Sequence, residues 1–143
     1  MSDSIDIRKE TLHIFKNIIK KNNKTLKSRL LNKLSKDIEL SIYNYTVEFS
    51  DSKGITKQWT NNFFKNCYLA KARSLYVNLD KNSYIKNNHL LDKVINNDIQ
   101  IKRIAFMEPH ELYPEKWDEL LKKKQMEDEC IYETSKDMGT DLF

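Results

Sequence analysis

Residues able to hold a metal or attack a substrate are few in this sequence, and they lie apart. His13, His89 and His110 fall in three separate segments, and none reads as having an acid or cysteine at ligand spacing. A structural zinc site needs four close ligands, commonly supplied in CxxC or HxxxH pairs. Cys67 and Cys130 form neither such a pair nor a redox motif, and they point to a reducing compartment. Glu127-Asp128-Glu129 could attract Mg²⁺, but a carboxylate run of this kind reads first as a solvated helix face. Ser74 has no nearby base and no elbow motif, so covalent catalysis has no foothold. With only two glycines, no GxGxxG or GxxxxGK[ST] loop exists to cradle a phosphate. No catalytic group, metal or cofactor is expected.

Binding chemistry has more to work with. Lys65, Lys71 and Arg73 are interleaved with Tyr68 and Tyr76, and basic residues among aromatics can mark a nucleic-acid face. The formal net charge is +4, unevenly placed: residues 1–117 hold 21 Lys/Arg against 13 Asp/Glu, and residues 118–143 hold 4 against 8. A basic body with an acidic tail suits a polyanionic partner, either nucleic acid or an acidic protein surface. Solvation of helix faces would use the same charges. Fourteen Asn and 21 Lys against four Arg match the coding bias of an AT-rich genome, and as composition they say nothing about chemistry.

These residues must be positioned by helices. Two Gly and two Pro in 143 residues are too few for an all-β chain, which needs turn residues every 8–12 positions. Hydrophobic residues make up 39%, mean hydropathy is −0.72, and 15 aromatics can supply one domain's core. Apolar periodicity predicts helices over 7–21 and 26–48, with a loop at 50–54. A third helix, over 56–79, is apolar around most of its circumference and is expected at the centre. A polar connection over 80–88 leads to a short helix containing Leu90, Leu91 and Val94, which Asn96-Asn97 should stop. Another short helix surrounds Ile101 and Ile104. A last helix starts near Glu115. It carries an apolar patch (Trp117, Leu120, Leu121) suited to docking, followed by Lys122, Lys123 and Lys124, whose polarity sends it into solvent or onto a partner. The expectation is an all-α three-helix bundle over 1–114 with extra short helices, and a projecting C-terminal linker helix over 115–143. The start has no apolar signal segment and no stretch is long enough to span a bilayer, so no membrane partner is expected.

The stretch YLAKARSLYVNL (68–79), then NHLLDKVINNDI (88–99), LYPEKW (112–117) and GTDLF (139–143) resemble, in order, the central domain and linker of transcription elongation factor TFIIS. The family's positions are filled by Tyr68, Lys71, Arg73, Ser74, Asn78 and Leu79, then by Leu90, Val94 and Ile99. Met107, Glu111 and Leu112 follow, and Thr140, Asp141 and Phe143 close the pattern. The segment over 35–43, SKDIELSIY, resembles the family's second helix. Three departures stand out. Asn97 replaces a family Gly, the loop over 80–88 replaces an Asn-Pro, and Leu69 stands where a third basic residue is common.

The resemblance implies a docking module for a multisubunit DNA-directed RNA polymerase. Lys65, Tyr68, Lys71, Arg73 and Ser74 would make the contact, and Lys122–Lys124, Thr140 and Asp141 would belong to the linker. In the family a zinc ribbon follows the linker and lends an Asp-Glu hairpin to the polymerase, whose own metals cleave a backtracked transcript. This sequence stops at Phe143, where the ribbon would start, so the chain is expected to be no enzyme and to hold no zinc. The short form and AT-rich composition resemble factors of large DNA viruses. The expected location is the nucleus or the site of viral transcription, and the expected state is a monomer with at most indirect nucleic-acid contact. A basic helical nucleic-acid-binding module with no polymerase partner is the alternative.

Overall fold

The computed structural model describes residues 2–137, with side chains from 7 to 130. The order is α1 (Ser2–Asn22), α2 (Ser28–Lys53), α3 (Asn62–Leu79), α4 (Leu90–Ile95), a 3-10 helix (Ile101–Phe106), α5 (Pro109–Leu112) and α6 (Pro114–Asp137). There is no strand among the described residues, as expected. None of their helices is long and apolar enough to cross a membrane. The fold divides into two compact units, Met1–Met107 and Glu108–Phe143. The division precedes the expected 114/115 boundary because α5, started by Pro109, packs with α6.

In the first unit, Phe15, Ile18 and Ile19 of α1 meet Leu31, Leu34, Ile38 and Ile42 of α2, all buried. Phe64, Tyr68, Leu75 and Leu79 of α3, Leu90, Leu91 and Val94 of α4, and Ile104 with Ala105 complete the core. Each such fully buried aliphatic side chain contributes about 1.5–3 kcal/mol. The central element is α2, which packs against α1, α3 and the 3-10 helix. This corrects the expectation for α3. Its buried positions form a single stripe, while Phe63 is 74% exposed and Leu69 37% exposed. The apolar residues that made α3 look encircled lie on its open sides.

Helix α1 starts at Ser2, five residues before the expected 7, and two further boundaries differ from expectation for local reasons. Helix α2 runs through the expected loop to Lys53, because Ser52 bonds back to the Phe49 carbonyl and only Gly54, at φ 69°, takes the left-handed turn that ends it. Helix α3 starts at Asn62 rather than 56, since the Asn61 side chain accepts from the Phe63 and Phe64 N–H groups and fixes the first turn there. The expected stop after α4 is present, with Asn97 in the left-handed conformation at φ 61°.

Asparagines serve the fold beyond coding bias. Buried Asn87 accepts from the His89 and Leu90 N–H groups to start α4, and its amide donates to Asn78 Oδ1. Asn22 ties the end of α1 to Asp80 and to the Lys81 N–H.

Candidate functional site

The residues expected to act together on α3 are divided by helical geometry. At 3.6 residues per turn, Lys71 and Arg73 are about 200° apart around the axis, so they cannot share a face. Tyr68 points inward, and Lys71 and Ser74 take one flank. Lys65, Leu69 and Arg73, spaced at i, i+4 and i+8, take the other.

Tyr68 is 0% exposed, so it belongs to no contact face. Its hydroxyl donates to Glu39 Oε1 at 2.9 Å. The same carboxylate takes a fork from Arg8, Nε to Oε1 at 2.7 Å and Nη2 to Oε2 at 2.9 Å. The Arg8 guanidinium also lies over the Tyr43 ring, 4.0 Å from its centroid. Three helices are therefore pinned through one buried acid. Hydrogen bonding to Glu39 raises the Arg8 pKa, and burial foremost pushes the Tyr68 phenol up from its ordinary 10.0. Trp59, in the turn before α3, packs edge-on against Phe64 and Tyr68 at 5.1 and 5.0 Å. Glu39 sits at the edge of an apolar helical stripe, and that position was the one sequence signal for this network. Its partner, 31 residues upstream, has none.

Lys71 is half-buried with its Nζ 4.3 Å from the centre of the Tyr45 ring, a cation–π contact that joins α3 to α2. Burial lowers its pKa. Beside it, Cys67, Ala70, Ser74 and the exposed Phe63 line an open groove of about 490 Å³ with Tyr45 and Phe49. Burial pushes the Cys67 thiol up, which disfavours the thiolate form.

On the opposite flank the charges are uncommitted. Arg73 is exposed, Lys65 is half-exposed, and neither forms an ion pair with a described residue. Glu39 pairs with Arg8 rather than with Lys71 or Arg73. On α6, Lys122, Lys123 and Lys124 are exposed, as are Trp117, Leu120 and Leu121. Thr140 and Asp141 lie outside the described residues.

One metal-ligand grouping escaped the sequence reading. Helix α5 brings Glu108 and Glu111 around His110, with one ligand atom from each within 4.8 Å of the others. All three are exposed, and the Glu111 carboxylate accepts the Glu108 N–H at 3.4 Å. Capping of a four-residue helix accounts for this geometry.

The whole surface thus offers binding faces and no catalytic constellation among the described residues. Over residues 3–132 the sequence matches the central domain of transcription factor S-II (TFIIS). A transcription factor S-II-related protein of Acanthamoeba polyphaga mimivirus is 29% identical over 104 residues, covering 67% of this chain and 53% of that protein. The chain spans about half the length of that relative. No solved structure matches it. The match runs from α1 into α6 and covers most of the sequence, so the chain belongs to the TFIIS family, through its central domain.

Proposed function

We propose that this chain docks on a multisubunit DNA-directed RNA polymerase as the central domain of a transcription elongation factor, and that the outer flank of α3 makes the contact. The observation that carries this reading is Arg73, an exposed guanidinium with no partner among the described residues. It lies on one stripe with Lys65 and the 37%-exposed Leu69. A mixed basic and apolar stripe of this kind suits a protein surface, since arginine is enriched at interfaces and an apolar neighbour gives it somewhere to pack. Leu69, where the family often has a basic residue, exchanges charge for apolar contact. Lys71 has a structural role, its charge already lodged against Tyr45.

The module is no enzyme in this reading. It has no cofactor of its own, and it supplies position rather than chemistry. Transcript cleavage in a backtracked complex would use the polymerase's metals, with a zinc ribbon joined to α6 lending its acids. The site of action follows the polymerase, in the nucleus or at the site of viral transcription. Titration of the chain onto purified cognate polymerase tests the assignment. Arg73→Glu should weaken association at least tenfold with an unchanged thermal melt, because close interfacial charge pairs couple by about 1.5–7 kcal/mol. Unchanged binding with an unchanged melt would remove this flank from the contact.

A further inference from the structure

The most one-sided charge in the molecule lies away from α3. Residues 16–36 hold eight Lys/Arg and no Asp/Glu. At the chain's average of 21 acids in 143 residues, a stretch of this length would hold about three. Coding bias toward lysine therefore does not explain it, because the acids have been excluded as well.

The fold gathers these charges on one end and one face of the first unit. Lys20, Lys21, Lys24 and Lys27 are exposed at the end of α1 and in the turn that follows. Arg29, Lys33 and Lys36 recur at i, i+4 and i+7 and form an exposed stripe along α2. On α1, Lys9 and Lys16 continue the surface, and Lys9 meets Lys36 across a shallow groove of about 400 Å³ between the two helices. The acids at that groove are Asp37, on its wall, and Glu39, which is bound by Arg8. None of the eight basic residues in the run forms an ion pair with a described residue. Solvated helix faces ordinarily intersperse both signs, and a one-sided cluster carries a repulsion that an anionic partner relieves.

We infer that this α1–α2 surface binds the phosphate backbone of nucleic acid, as a second face distinct from the α3 flank. The extent of the run favours phosphate over an acidic protein. Eight cations with no acid among them, spread over the end of α1, the turn and α2, match a polymer that carries a charge at every repeat. Association with such a polyphosphate draws on counterion release. Ser28 and Asn32, exposed among the lysines, add neutral side chains of the kind that commonly bond phosphate oxygens. No exposed aromatic stands in the stretch to stack a base, so the contact is with backbone and independent of sequence.

The test is fluorescence anisotropy of the full chain with labelled duplex DNA, duplex RNA and single-stranded RNA of about 20 nucleotides, from 50 to 200 mM salt. Polyglutamate serves as competitor. If about five phosphates are engaged, the log–log salt slope should be near −4.5, a loss of about 500-fold across that range. The arm that binds tightest identifies the nucleic acid. Arg29→Gln/Lys33→Gln/Lys36→Gln and, separately, Lys20→Gln/Lys21→Gln/Lys24→Gln should each weaken binding at least tenfold and flatten the slope by up to about 2.7. Arg73→Glu should change neither, which keeps this inference separate from the polymerase reading. Should a triple variant lose its cooperative melt, Lys33→Gln alone decides, with an expected flattening of about 0.9. No binding in any arm, binding indifferent to the variants that fold, or displacement by polyglutamate at equal charge concentration would each overturn the inference.

Discussion

Replacing Glu39 by Gln tests how the first unit is held together. The carboxylate accepts three hydrogen bonds: two from Arg8 on α1 and one from the Tyr68 hydroxyl on α3. An amide offers one acceptor in place of two. If its oxygen stays at the Oε1 position, its NH₂ faces Arg8 Nη2, donor against donor. The Arg8 side chain is 34% exposed, so it can turn to water, and the full penalty of an orphaned buried charge does not apply. What is lost is one charge-assisted bond and the charge on the others, about 2 kcal/mol in all. For a domain near 100 residues, about 1 kcal/mol corresponds to at least 4 °C, so Tm should fall by about 8 °C. Tyr68→Phe should cost about 1.5 kcal/mol, since its hydroxyl is buried and donates to a charged acceptor. The two changes touch one network, and the double variant should show a coupling of about 1 kcal/mol. Thermal melts of the four proteins at neutral pH supply the cycle. A melt of Glu39→Gln within 2 °C of the wild type, or strict additivity, would refute the view that this acid pins three helices.

Three further outcomes follow. In alkaline titration followed by ultraviolet absorbance, Tyr68 and Tyr45 should ionise above the ordinary 10.0 of a tyrosine, because burial raises both. For Tyr68 the sign is fixed: above its ordinary 10.0 the unfolded chain releases a proton that the folded chain retains, so stability should fall as pH rises through 10. A stability that rises there would contradict the buried phenol. A thiol reagent at pH 7.5 should label exposed Cys130 at least tenfold faster than Cys67, which is partly buried and whose thiol burial pushes up; mass spectrometry of the peptides reads the ratio, and equal rates would contradict the groove geometry. Asn97→Gly should raise stability by about 0.5–1 kcal/mol, because the residue already stands at φ 61°, where glycine has no Cβ penalty. A loss in chemical denaturation would place a side-chain role there.

The legible parts of the fold were those that a local pattern encodes. The stripe Leu31, Leu34, Ile38, Ile42 marks α2, and Asn97 marks a left-handed stop, because each depends on residues within a turn or two of itself. Asn61 as the cap of α3 was readable by the same rule, although Trp59, two residues before it, extended the apolar pattern and obscured the start. The position of α3 in the bundle was not legible. Apolar residues around its circumference suggest burial, yet Phe63 and Leu69 are exposed, and only long-range packing decides which side α2 covers. The candidate site shows the same division. Arg73 is available because nothing distant reaches it. Tyr68 and Lys71, equally polar on paper, are taken up by Glu39 and Tyr45 from another helix. Proximity in sequence grouped these side chains, and helical angle separates them.

The outer flank of α3 is the face proposed to meet an RNA polymerase, and a photo-crosslinking amino acid can be seated on it without removing Arg73. The probe goes at position 69, between Lys65 and Arg73 and 37% exposed, in the full chain bound to the purified cognate enzyme. The same probe at position 33, on the α1–α2 surface, serves as the comparison. Capture of a polymerase subunit from position 69 that unlabelled chain competes away, with little capture from position 33, is the expected result. No subunit captured from position 69, or equal capture from both positions, would contradict the docking face.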